Sequence, residues 1–187
     1  MKIEDGTGSG RFAAVDTTKR LKTAAAVSSA LHENSINEKQ VYIFSTGGFI
    51  SITSTGTETG VFYLKNTSST KYLFINSIRT CGTQIQKVLI YKDPTGGTLI
   101  STANAAESTN LNLTSSNTSE STQYYGANAL TVTGGTHIAN HINHVGHSTM
   151  NLDDALVLGK NNSIAITFEV DTAADVCVAI EGYYATE

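Results

Sequence analysis

From Val41 onward the apolar residues recur at every second position, and that period constrains the fold more than any other feature of the chain. Ile164, Ile166, Phe168 and Val170 alternate with Ala165, Thr167 and Glu169, and Val176, Val178 and Ile180 alternate with Cys177, Ala179 and Glu181. Successive side chains of a strand point to opposite faces, so this spacing predicts half-buried strands. Further runs agree: Val41-Tyr42-Ile43-Phe44 and Phe49-Ile50-Ser51-Ile52-Thr53 flank Ser45-Thr46-Gly47-Gly48, which reads as a hairpin turn. Val61-Phe62-Tyr63-Leu64 and Tyr72-Leu73-Phe74-Ile75 are separated by a second turn at Asn66-Thr67-Ser68-Ser69. A strand over residues 85–91 ends at Asp93-Pro94-Thr95-Gly96-Gly97, and Thr98-Leu99-Ile100 is expected to start another short one.

Residues 101–123 are mostly Ser, Thr, Asn and Glu, with Leu111 and Leu113 the large apolar exceptions, and read as a long surface excursion carrying at most one short strand. Ala129-Leu130-Thr131-Val132 and Ala155-Leu156-Val157-Leu158 bracket a histidine-rich stretch. No helix longer than about two turns is expected after residue 40, and no internal repeat is visible. Roughly ten short strands at such spacing predict an all-β protein, a jelly-roll-like β-sandwich. Its hydroxyl-rich composition agrees, since Ser and Thr make up roughly a quarter of the chain and suit turns and strands respectively.

The first 40 residues differ. Asp5-Gly6-Thr7-Gly8-Ser9-Gly10 buries nothing, and Phe12, Val15 and Leu21 are too sparse to make a core of their own. Ala24 to Ala30 suits a short helix or an extended segment lying across another subunit. The chain therefore divides into an extended N-terminal arm, residues 1–40, and a sandwich domain, residues 41–187. The arm holds six Lys/Arg against five Asp/Glu and the domain six against eleven, so a slightly basic arm precedes an acidic body. A net charge of −4 argues against general nucleic-acid binding, which needs cations to displace counterions. With no apolar run of about 18 residues and no apolar leader, the chain is expected to be made in a cytoplasm and not inserted in a membrane. Cys81 and Cys177 are expected to be buried free thiols. The Asn-x-Ser/Thr matches at Asn66, Asn112, Asn117 and Asn161 are what so Asn- and Ser/Thr-rich a chain produces by chance.

Functional side chains concentrate in one place: His137, His141, His144 and His147. On a helix, His137, His141 and His144 would share a face beside an apolar face of Ile138, Ile142 and Val145, an arrangement able to bind Zn²⁺. The plainer reading makes all four histidines hydrogen-bonding groups of a loop at a subunit contact, and a pH-sensitive contact is the third. No cofactor is expected. Gly6-x-Gly8-x-Gly10 lacks the strand-turn-helix context of a dinucleotide site. Asp153 and Asp154 would face opposite ways in an extended chain. Glu169 and Glu181 sit on polar strand faces, and solvation explains them more simply than a glycosidase pair. Tyr124-Tyr125 and Tyr183-Tyr184 suit either sugar stacking or protein interfaces. No enzymatic motif is present, so a small hydrolase on a sandwich scaffold is the least favoured class.

The opening Ile3-Glu4-Asp5-Gly6-Thr7-Gly8-Ser9-Gly10-Arg11-Phe12-Ala13-Ala14-Val15-Asp16, followed by Arg20-Leu21-Lys22 and Val41-Tyr42, resembles the N-termini of tailed-bacteriophage virion proteins. Leu158-Gly159-Lys160-Asn161-Asn162-Ser163-Ile164-Ala165-Ile166 and Val178-Ala179-Ile180-Glu181-Gly182-Tyr183 resemble their β-domains. The resemblance implies a capsid decoration or cement protein, located in the virion after synthesis in the host bacterial cytoplasm. It further implies a homotrimer that contacts the major capsid protein or another virion protein. On that expectation Phe12, Val15, Leu21 and the four histidines belong to assembly interfaces. The alternative is a tail-associated receptor- or glycan-binding protein using Tyr124, Tyr125 and the excursion.

Overall fold

A computed structural model describes residues 2–4, 12–14, 34–101, 104–126 and 130–186. In chain order the strands are β1 (Lys2–Glu4), β2 (Phe12–Ala14), β3 (Val41–Ser45), β4 (Ile50–Ile52), β5 (Glu58–Asn66), β6 (Tyr72–Gly82), β7 (Gln86–Lys92), β8 (Asn104–Ala105), β9 (Glu107–Asn110), β10 (Ser121–Tyr125), β11 (Thr136–Asn143), β12 (Gly146–Leu158), β13 (Ser163–Val170) and β14 (Ala174–Ala185). One wide helical turn, Asn34–Glu38, precedes β3, and a one-turn helix, α1 (Thr98–Ser101), follows β7 where a strand was expected. Among the described residues no helix is long and apolar enough to cross a membrane.

Two antiparallel sheets pack face to face. The front sheet runs β12-β6-β14-β3-β9 with β4 also paired to β14, and the back sheet runs β11-β7-β13-β5-β10-β8. Eight strands, β3, β5, β6, β7, β11, β12, β13 and β14, set the topology. In that sequence the first, eighth, third and sixth lie side by side in front, and the second, seventh, fourth and fifth lie behind. This is jelly-roll order. Between the sheets lies the main core, which includes Phe44, Phe62, Phe168, Ile75, Ile90, Ile164, Ile166, Val178 and Ile180.

On both sides of the sandwich the chain steps directly from one sheet to the other. On one side β11 of the back sheet runs through residues 144–145 directly into β12 of the front sheet. On the other, β8 pairs with β10 behind and β9 pairs with β3 in front, with Ala106 alone between them. The expected surface excursion thus supplies the edge strand of both sheets on that side.

Three local expectations change. Ser45-Thr46-Gly47-Gly48 is not a hairpin turn: Ser45 lies opposite Ala179 and Ile50 opposite Val176, so β3 and β4 run the same way along β14. Thr46 N–H donates to the Val178 carbonyl at 3.1 Å, and the intervening residues bulge outward. Second, β13 is buried on both faces near its middle. Ala165 packs under Leu99, with Leu130 and Val132 alongside, and Thr167 donates to Glu58 Oε1 at 2.6 Å. Leu130 and Val132 lie outside any strand and cover the back sheet instead.

Third, Cys81 and Cys177 are not free thiols. They are opposite each other in the β6–β14 ladder, with Cα atoms 5.1 Å apart and the sulfurs bonded. A separation of 96 residues hid a pairing that strand register creates. Both lie half-exposed on the outer face, as the alternation of Cys177 with buried Val176 and Val178 requires.

Asn66 organises the far end of the sandwich. Its Nδ2 donates to the Leu158 carbonyl at 2.9 Å and the Lys71 carbonyl at 3.0 Å, and its Oδ1 accepts from Ser68 N–H. Being fully buried, it is no glycosylation acceptor. Replacing Asn66 by Ala strands buried partners, so a loss of about 3 kcal/mol is expected. A urea unfolding midpoint falling at unchanged slope is the check.

Candidate functional site: the histidine corner

The four histidines fall where β11 turns into β12, and they lie on strands and a tight turn, not on a helix. In an unbroken strand His137 and His141 would share a face. A bulge between His137 and Ala139 in the β11–β7 ladder reverses the alternation. His137 therefore stays on the outer back face, its ring centroid 5.4 Å from that of Tyr91. Ala139 packs on the core, His141 points between the sheets, and Ile142 is left 61% exposed. His144 occupies the exposed turn, and His147 lies opposite Cys81 on β6. The three-imidazole face that the helical alternative required is thus dispersed, and among the described residues no group of three His, Cys, Asp or Glu is placed to hold a metal ion.

His141 is the member with chemistry to report. Its Nε2 lies 3.3 Å from Thr80 Oγ1 on the opposite sheet, while its Nδ1 is buried without a hydrogen-bond partner. Beside it on β11, fully buried Asn143 donates to Gln86 Oε1 at 3.1 Å and leaves its own Oδ1 unpaired. A polar cluster thus lies at the margin of the core where the sheets join. Burial disfavours the imidazolium and holds the His141 pKa below its ordinary value.

A second irregularity lies on β12. Asn151 pairs with Ser77 and Leu156 with Ile75, so residues 152–155 bulge opposite Asn76. Asp153 and Asp154 adopt left-handed backbone conformations, φ 45° and 64°, so the extended-chain expectation for them fails. The bulge brings Asp154 Oδ2 within 3.0 Å of the Tyr183 hydroxyl, which donates to it. Tyr183 stacks on Phe74 with centroids 5.2 Å apart, and its pKa is pushed up to about 12 by burial and then by Asp154. Because β12 is an edge strand, this charged, kinked segment also blocks pairing with a foreign strand.

The remaining sequence candidates separate. Glu169 pairs with Lys87 at 2.7 Å on the back sheet, and Glu181 with Arg79 at 3.3 Å on the front sheet. Tyr124 stacks on Tyr63 beside the cover of the back sheet, and Tyr125 packs on the core. Tyr183 and Tyr184 are only 4% and 1% exposed. Phe12 lies in β2, paired with Glu4 of β1, while Val15 and Leu21 lie outside the described residues. The sequence pattern missed the Asp154–Tyr183 contact and the disulfide. The outward position of Cys177 in its strand was the available sign of the latter.

Two outcomes follow. The unfolded chain takes up a proton at His141 near 6.5 while the folded protein resists it. Stability from this site is therefore complete above that pH and lost as pH falls below it. His141→Gln is expected to flatten the fall in urea midpoint between pH 7 and 5; parallel curves for variant and wild type would exclude His141. Reducing the disulfide, which closes a long loop, should cost up to roughly 5 kcal/mol in the chain-entropy limit, read as a drop in melting temperature with dithiothreitol that the Cys81→Ser/Cys177→Ser variant reproduces without it.

In comparison with known proteins, the chain matches no family model, no curated protein and no solved structure.

Proposed function

We propose that this chain is a structural virion protein that binds and stabilises an assembled phage capsid, associating with copies of itself and using its N-terminal segment as a tie. One observation carries the reading: among the described residues both sheets are built from strands within Val41–Ala185, and β1 pairs with β2 alone. Among the described residues none before Val41 joins a ladder of either sheet. The carbonyls of Ser35, Lys39 and Gln40 do accept hydrogen bonds from Asn112, Asn110 and Tyr184 of the domain, so the part proposed to reach another chain is the one before Asn34.

The domain suits such a role. Its strand order recurs in viral capsid domains as well as in lectins and cupins. Its β12 edge carries a charged bulge that opposes uncontrolled strand addition. The partners of this reading are further copies, as a homotrimer, and the major capsid protein or another virion protein. The alternative as a receptor- or glycan-binding protein has less support, because Tyr124 and Tyr125 point to opposite faces and both are engaged.

Removing residues 1–30 is expected to abolish cosedimentation with assembled capsids while the circular dichroism of the β-domain persists. A truncated protein that folds and binds as well as the full chain would overturn the proposal.

A further inference from the structure

The two outer faces of the sandwich are treated differently. The back face is covered by its own chain, with Leu99, Leu130 and Val132 packed over Tyr63, Tyr124 and Ala165. The front face carries a groove instead. It lies between the bulge of residues 46–49 and β9, measures about 270 Å³, and is lined by Ser45, Gly47, Phe49, Glu107, Cys177 and Ala179.

Its floor is the half-exposed disulfide and Ala179, and one wall is Phe49, 66% exposed. The opposite rim is acidic. Glu107 is exposed, and its carboxylate is held against the loop backbone so closely that a Cβ on Gly47 would lie 3.0 Å from its Oε1. Gly47 itself adopts φ +71°, which fixes the bulge and with it the position of Phe49. Asp175 is exposed on the same face of β14, beside the groove and outside its lining. Its Oδ1 accepts from Ser51 Oγ at 2.5 Å and its carboxylate is unmatched by a cation among the described residues, whereas Glu181 farther along is matched by Arg79. The groove thus asks for an apolar side chain accompanied by cations.

We infer that this groove receives Arg20-Leu21-Lys22 from the N-terminal segment of a neighbouring copy, Leu21 entering between Phe49 and the disulfide and the two cations reaching the Glu107 and Asp175 carboxylates. Residues 11–22 carry four basic side chains against one acidic, the complement of the groove's rim. Long Lys and Arg stems lie along apolar surface while their charged ends reach outward. The contact is far smaller than the roughly 800 Å² per partner of a self-sufficient interface. It therefore works as a tie whose strength is multiplied by other subunit contacts through effective concentration. The inference rests on the assembly reading above and names the contact through which it acts.

The test measures self-association of the full-length protein by sedimentation across a concentration series, with circular dichroism confirming that each variant is folded. Leu21→Asp is expected to weaken association roughly tenfold or more. Glu107→Lys and Arg20→Glu/Lys22→Glu should each weaken it several-fold, and combining them should restore it, with the wild-type contact weakening at high salt. Wild-type association that all these variants share would exclude the groove while leaving assembly through another surface standing. A wild-type chain that stays monomeric and also fails to bind capsids would remove the assembly reading itself. Hydrogen-exchange protection of residues 45–49 that needs Leu21 but is independent of concentration would assign the groove to the chain's own segment and overturn the contact between copies.

Discussion

Everything in this molecule depends on burying one face of each sheet against the other. Phe44, Phe62, Phe168 and the isoleucines between the sheets are each essentially inaccessible to water, and burying one such side chain contributes on the order of 1.5–3 kcal/mol. Consecutive principal strands usually lie in opposite sheets, so almost none of this burial is local. The chain crosses between sheets after β4, β5, β6, β8, β9, β11, β12 and β13. A strand therefore finds its hydrogen-bonding neighbours far away in sequence, and the fold closes only when distant segments meet.

Bulges then decide what each strand displays. The irregularity at Ile138 moves His141 from the outer surface into the margin of the core. The insertion at residues 152–155 folds an edge strand so that Asp154 reaches Tyr183. The interruption between β3 and β4 leaves Phe49 exposed in the groove that Cys177 also lines. Each involves a few residues, and each changes which side chains face solvent.

The outcome is a domain with unequal faces. Its own chain covers the back, while the front keeps a groove with an apolar floor and an acidic rim. On the reading proposed above, the N-terminal segment and the front groove are the two halves of one contact between copies.

The fold class was legible in residues 41–187 because a period of two survives every turn, and the outward place of Cys177 was written in its alternation with Val176 and Val178. The acidic body and more basic N-terminal segment were likewise matters of composition. What the residues alone did not disclose was pairing across distance. Ser45-Thr46-Gly47-Gly48 has hairpin chemistry, yet both flanking segments bind β14, because a longer apolar strand rewards continuing over turning back. Thr98-Leu99-Ile100 has strand-like residues, yet makes a helical turn that places Leu99 on the back sheet. His137, His141 and His144 have helical spacing, yet β11 and β12 are held by β7 and β6, and hydrogen bonds to those strands override local periodicity. The sequence by itself determined that sheets form and which faces are apolar. Register, bulges and the meeting of Cys81 with Cys177 were decided by the tertiary structure, because a ladder's alignment is set by all its rungs together.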